Sequence, residues 1–87
     1  MSEKNGVNIA GKMYSIVGKE DKAYIQKIAA YVDEKMTMLM AKNSELTTER
    51  AAVLAAINIT DELFKAEDNA NNLRAQVGEL ISREKNN

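Results

Sequence analysis

Residues 51–81 read Ala-Ala-Val-Leu-Ala-Ala-Ile-Asn-Ile-Thr-Asp-Glu-Leu-Phe-Lys-Ala-Glu-Asp-Asn-Ala-Asn-Asn-Leu-Arg-Ala-Gln-Val-Gly-Glu-Leu-Ile. Within them Ala56, Ile59, Leu63, Ala66, Ala70, Leu73, Val77 and Leu80 recur at alternating spacings of three and four residues. A helix carrying that pattern presents a narrow apolar stripe, the seam of a coiled coil. With Ala56, Leu63, Ala70 and Val77 at a, the d positions are Ile59, Ala66, Leu73 and Leu80. The flanking e and g positions are Thr60, Glu62, Glu67, Asn69, Arg74, Gln76, Ile81 and Arg83, mostly polar as a narrow seam requires. Ala66 and Ala70 at its centre allow close approach but bury little, so the two ends supply most of the stability. Ile81 beside Leu80 widens the far end, enough for a four-chain seam. The expected oligomer interface is therefore Ile59, Leu63, Ala66, Ala70, Leu73, Val77, Leu80 and Ile81.

Working outward, the chain contains no proline, so this helix is expected to run from the polar break Lys42-Asn43-Ser44-Glu45 to about Glu84. Ser44 or Thr47 is placed to cap it. At 1.5 Å per residue it is roughly 55 Å long, more than a small head covers, which argues against a lone amphipathic helix lying on its own head. Val53, Leu54, Ile57 and Phe64 widen its apolar face in the first half, where it has both a partner and the head to meet.

Upstream, Ile25, Ile28, Ala29, Val32, Met36, Leu39 and Met40 give a second apolar face over about residues 20–41, with Glu20 and Asp21 expected in the first turn near the positive end of the helix dipole. Three of the four glycines lie in the first eighteen residues: Gly6, Gly11 and Gly18. Between them Val7-Asn8-Ile9 alternates and Met13-Tyr14-Ser15-Ile16-Val17 is short and apolar, which predicts a hairpin turning around residues 10–12. The expected fold class is α+β: a small N-terminal β-hairpin plus helix head over residues 1–46, followed by a long C-terminal coiled-coil helix over 47–87.

Composition sets the limits. A chain of 87 residues buries only roughly 60 to 65% of its unfolded surface, so it leans on disulfides, a metal or a second subunit. Cys and His are both absent, which leaves oligomerisation and fits a reducing compartment. Twelve basic and thirteen acidic residues give a net charge of -1, so no field of one sign attracts nucleic acid or an anionic membrane. No apolar run approaches the roughly 20 residues that span a bilayer, and the first residues lack the apolar stretch of a signal peptide. The expected location is the cytoplasm.

No catalytic or cofactor constellation emerges. Adjacent carboxylates such as Glu20 with Asp21 or Asp61 with Glu62 point about 100° apart on a helix and do not converge. Gly11-Lys12 and Gly18-Lys19 lack the spacing and following hydroxyl of a phosphate loop. Met13, Met36, Met38 and Met40 suit gap-filling core. Asp33, Glu34 and Lys35 are expected on a solvated outer face of the first helix. Asn58, which follows the apolar run Val53–Ile57, either faces solvent or bonds to the backbone of the head or a second subunit. Lys12, Lys42, Glu49 and Arg50 come from the hairpin turn and the interhelical region, where binding residues tend to sit.

Several segments resemble the ZapA family of bacterial cell-division proteins. They are Val7-Asn8-Ile9-Ala10-Gly11-Lys12-Met13-Tyr14, Gly18-Lys19-Glu20 with Tyr24-Ile25, Ala30-Tyr31-Val32-Asp33-Glu34-Lys35-Met36 and, most specifically, the stretch from Ala51 to Leu63. Together they span nearly the whole chain in order. The resemblance implies a non-enzymatic protein whose heads dimerise and whose long helices join two dimers into an antiparallel tetramer. It further implies bundling of FtsZ protofilaments at midcell, in support of the division ring. Family members place filament contact on charged residues of the head, here matching Lys12, Lys42, Glu49 and Arg50. No cofactor, nucleic acid or membrane is implied. The competing expectation is a cytoplasmic coiled-coil adaptor that recruits another protein through its head.

Overall fold

The computed structural model describes residues 3–85, with side chains from 4 to 82. Two antiparallel strands, β1 (Glu3–Ile9) and β2 (Lys12–Gly18), are followed by helices α1 (Lys22–Lys42) and α2 (Thr48–Lys85). The α+β class and the element order agree with the reading of the sequence. The chain divides into two compact units, Met1–Ala56 and Ile57–Asn87. Residues 48–56 of α2 belong to the first unit and the rest of α2 to the second.

In the hairpin, Ile9 pairs with Lys12, Val7 with Tyr14 and Asn5 with Ile16. Only Ala10 and Gly11 form the turn, and both have positive φ, 51° and 81°. That is the handedness a two-residue hairpin turn needs to match the twist of its strands. Lys12 is therefore the first residue of β2 rather than part of the turn. Strand β1 also begins earlier than its alternating side chains suggest, because the backbone ladder reaches Glu3 opposite Gly18.

Asp21 caps α1: its side chain accepts a hydrogen bond from the Tyr24 amide at 2.9 Å, and its backbone is extended. Asp21 and Glu20 thus precede the first turn instead of lying in it. The helix ends at Lys42, and Asn43 accepts from the Glu45 amide through its side chain and from the Leu46 amide through its carbonyl, both at 3.1 Å. The Thr47 hydroxyl then accepts from the Arg50 amide at 3.2 Å and opens α2.

The core of the first unit lies in two small clusters. Val7, Ile25 and Ala29 join β1 to α1, with Ile9 and Ile16 against them. Met36, Ala51 and Ala55 join α1 to the start of α2, with Ile9, Ala10, Val32, Leu39, Met40 and Leu46 packed around. Asn5 is buried beside the first cluster on the inward face of β1. Ile28 is 45% exposed, outside the face that the spacing assigned it. Of the four methionines expected to fill the core, Met36 is buried and Met40 half-buried, whereas Met13 and Met38 stand in solvent.

Asp33 departs furthest from expectation. It is half-buried, and its Oδ1 accepts the Ala10 amide at 2.7 Å. Ala29, Asp33 and Met36 share one face of α1, so the carboxylate points toward the hairpin. It holds a turn whose alanine sits in a backbone region that L residues rarely adopt. Asp33→Ala leaves that amide without its acceptor and should cost about 1–3 kcal/mol. The urea midpoint at fixed protein concentration measures this; Asp33→Asn, which keeps an acceptor, should lose less. An unchanged midpoint for Asp33→Ala would mean that water serves the turn equally well.

Candidate functional site

Around the core of the first unit lie two open depressions. One is a groove of about 450 Å³ with an apolar floor of Ile9, Tyr14, Val32, Met36 and Ala52, and with Lys12, Thr48 and Glu49 at its margin. The other, of about 580 Å³, is bordered by Leu46, Thr47, Glu49, Arg50, Val53 and Leu54. Glu49 borders both. Three of the four proposed partner-binding residues are thereby brought to one region: Lys12 from the start of β2, and Glu49 and Arg50 from the first turn of α2. Lys42 is the last residue of α1 and lines neither depression.

The groove exists because α1 packs on β1 and leaves the inward side chains of β2 partly uncovered. Tyr14 is 44% exposed although it pairs with fully buried Val7. Sequence reading found the charged margin through loop proximity. It missed the apolar floor, whose signal is that Tyr14 and Ile9 share the inward face of the hairpin. On α1, Lys35 Nζ lies 5.1 Å from the centre of the Tyr31 ring, so neither Lys35 nor Tyr31 is a bare solvated group.

The second unit carries the seam. Leu63, Leu73, Val77, Leu80 and Ile81 are all exposed, as are Ala66 and Ala70, while Ile59 is half-buried. Phe64 and Asn58 also face solvent. Arg83 lies outside the described side chains. Lys65 and Asp61 form an exposed pair at 2.9 Å, one helical turn apart. The hydrogen bond from Lys65 to Asp61, then the attraction between their charges, raises the Lys65 pKa. Such a pair adds little to stability and has no bearing on a site. Among the described residues, no group of acidic side chains is arranged to hold a metal ion. No helix among them is long and apolar enough to cross a membrane.

Fold and surface together define a class: a small α+β protein whose hairpin-and-helix unit is followed by a long helix bearing an uncovered heptad seam. The sequence pattern of the family described as "Cell division protein ZapA" matches residues 6–86. The chain belongs to the ZapA family of cell division proteins. Relatives include the cell division protein ZapA of Bacillus anthracis, 40% identical over 88% of this chain and 93% of the relative. That of Geobacillus kaustophilus is 44% identical over 82% of this chain and 78% of the relative. Two solved structures are similar. A ZapA mutant dimer from Geobacillus stearothermophilus matches at a TM-score of 0.67 and 36% identity, over 88% of this chain and 90% of that one. A chain from Pseudomonas aeruginosa PAO1, described as an unknown conserved bacterial protein, matches at 0.68 and 30% identity, over 99% and 100%.

Proposed function

We propose that this chain is a non-enzymatic cell-division protein that self-associates, first as a dimer and then as a dimer of dimers, and cross-links FtsZ protofilaments at the cytoplasmic division site. Membership of the ZapA family supports the setting. The observation that carries the mechanism is the uncovered stripe in which Leu63, Leu73, Val77, Leu80 and Ile81 stand in solvent on a helix of 38 residues. Such a row is stable when a second copy covers it. The similar structure of a ZapA dimer is in keeping with that.

Filament contact then falls to Lys12, Lys42, Glu49 and Arg50. Weak contacts joined in one assembly act at high effective concentration, so modest affinity per head cross-links a polymer. The assembly promotes the division ring by aligning filaments, with no chemical step. Light-scattering mass of the pure protein, combined with pelleting of FtsZ polymers, tests the proposal. A multimeric mass with enhanced pelleting is expected; a multimer that leaves the polymers unaffected would favour the adaptor with another partner.

The charged margin has its own test. Reversing Lys42 and Arg50 together should lower FtsZ co-pelleting several-fold, because like charges across an interface disfavour the complex. The mass of the assembly should not change, since neither residue is on the seam. Undiminished co-pelleting would remove both from the contact.

A further inference from the structure

One face of α1 belongs to neither cluster of the core. Tyr24, Ile28, Tyr31, Lys35 and Met38 follow one another at spacings of four, three, four and three residues, so they form a single line along the helix. Buried Ile25, Ala29 and Met36 lie about 120–160° around the axis from Tyr31. The four uncharged members of the line are between 43% and 52% exposed. We infer that this stripe docks an acidic amphipathic helix of another protein. Apolar residues of that helix cover the tyrosines, Ile28 and Met38, and its carboxylates meet Lys35 and Lys27. The inference stands on α1 alone and needs neither the seam nor the filament contact.

The spacing calls for a helix as the occupant. Single exposed apolar side chains are ordinary, but a continuous line of them rimmed by charge marks an interaction surface. Three-and-four spacing sustained over about 21 Å is the row against which a second helix sets its own matching row. Tyrosine suits such a contact, because its ring buries a large area while its hydroxyl reaches the wet margin.

Charge fixes the chemistry of that helix. Lys35 stands within the line, between Tyr31 and Met38; it is half-buried, and its Nζ lies 5.1 Å from the centre of the Tyr31 ring. Whatever covers the line takes this ammonium out of water, and a cation buried without an anion is costly. The cover therefore brings a carboxylate to that place. Exposed Lys27 lies one turn from both tyrosines, and Lys42 continues the line one turn past Met38. Of the two acids of α1, Asp33 is turned to the Ala10 amide, and Glu34 lies about 60° around the axis from Tyr31. The basic bias is local, since the chain as a whole has a net charge of -1.

Two other occupants fit less well. A second copy of the stripe brings another Lys35 and no carboxylate of its own line. An anionic bilayer would meet the lysines, but binding there scales with the apolar area sunk among the lipids, and two of the four uncharged side chains end in hydroxyls.

The chain has three tyrosines, Tyr14, Tyr24 and Tyr31, and no tryptophan. In the full-length Tyr14→Phe protein, ultraviolet emission thus comes from the stripe alone. The probe is a synthetic helical peptide as long as α1, with leucine along one face, glutamate elsewhere and no aromatic residue. Titrating it should change the tyrosine emission saturably, whereas the same peptide with lysine for glutamate should not. Lys27→Glu, at an exposed position, should weaken the acidic peptide several-fold, and Lys27→Glu with Lys35→Glu roughly tenfold or more. The double variant should also gain affinity for the lysine peptide, a result that a misfolded protein would not give. Equal response to both peptides, or undiminished binding by the Lys27→Glu protein, would overturn the inference. So would heat of binding without a change in emission, which would place the peptide elsewhere on the chain. An emission change with phosphatidylglycerol vesicles but none with the acidic peptide would mark a membrane surface instead.

Discussion

Replacing Leu73 by glutamate is expected to lower the solution mass of the proposed assembly to a smaller species at micromolar concentration. Leu73 is a d residue of the seam and is 61% exposed in the single chain, so its burial depends on a second copy. A carboxylate there enters the helix interface without a cation facing it. Removing one partner of a buried charge pair costs about 3–5 kcal/mol, and an unpaired charge placed in an apolar layer is of the same kind. The penalty recurs at each symmetry-related site, and every 1.4 kcal/mol is about a tenfold loss of affinity. Asn72→Glu, one position away and off the seam, should leave the mass unchanged. Light scattering or sedimentation separates the two variants, and an intact mass for Leu73→Glu would remove Leu73 from the interface.

The second large effect lies in the first unit. Met36 is 3% exposed and stands with fully buried Ala51 and Ala55, joining α1 to the start of α2. Met36→Ala should cost about 2–5 kcal/mol, the range for truncating a buried aliphatic chain to alanine. For a chain of this size that is a melting point lower by roughly 10 °C or more. Met38, two residues on, is 52% exposed, and Met38→Ala should stay within about 0.5 kcal/mol. Both melts belong at one protein concentration, because association adds to apparent stability. Equal losses would contradict the placement of the core.

The contrast between those methionines shows how far the sequence carries. The hairpin was legible because Gly11 falls between two short apolar runs, and the long helix because its three-and-four spacing is unbroken. Ile28 and Met38 were harder. Periodicity identifies apolar positions on a helix without saying which stripe the sheet covers, and β1 covers the one holding Ile25 and Ala29.

Asp33 was misread for a related reason. Its place in the charged run with exposed Glu34 and with Lys35 suggests a wet face, but one residue of helix is a rotation of about 100°. That rotation brings Asp33 onto the side of Ala29 and Met36, beneath the hairpin turn. Nothing local announces that Ala10 needs an acceptor, since its positive φ is a property of the folded turn. Among the candidate site residues, Lys12, Glu49 and Arg50 were legible as charges near chain reversals. The apolar floor that joins Lys12 to Glu49 forms only when three elements meet.

Buried Asn5 has a consequence for the lifetime of the molecule. It is followed by Gly6, the neighbour that least obstructs attack of a backbone nitrogen on the asparagine side chain, the first step of spontaneous deamidation. In β1 the extended backbone and the packing around Asn5 hold those atoms apart, so the folded chain is shielded from a reaction to which the unfolded chain is open. Once deamidated, the same site would place a carboxylate at a buried position opposite Ile16 and resist refolding. Each excursion from the native state therefore carries a chance of becoming permanent, and the chemical age of a sample records how often its hairpin has opened.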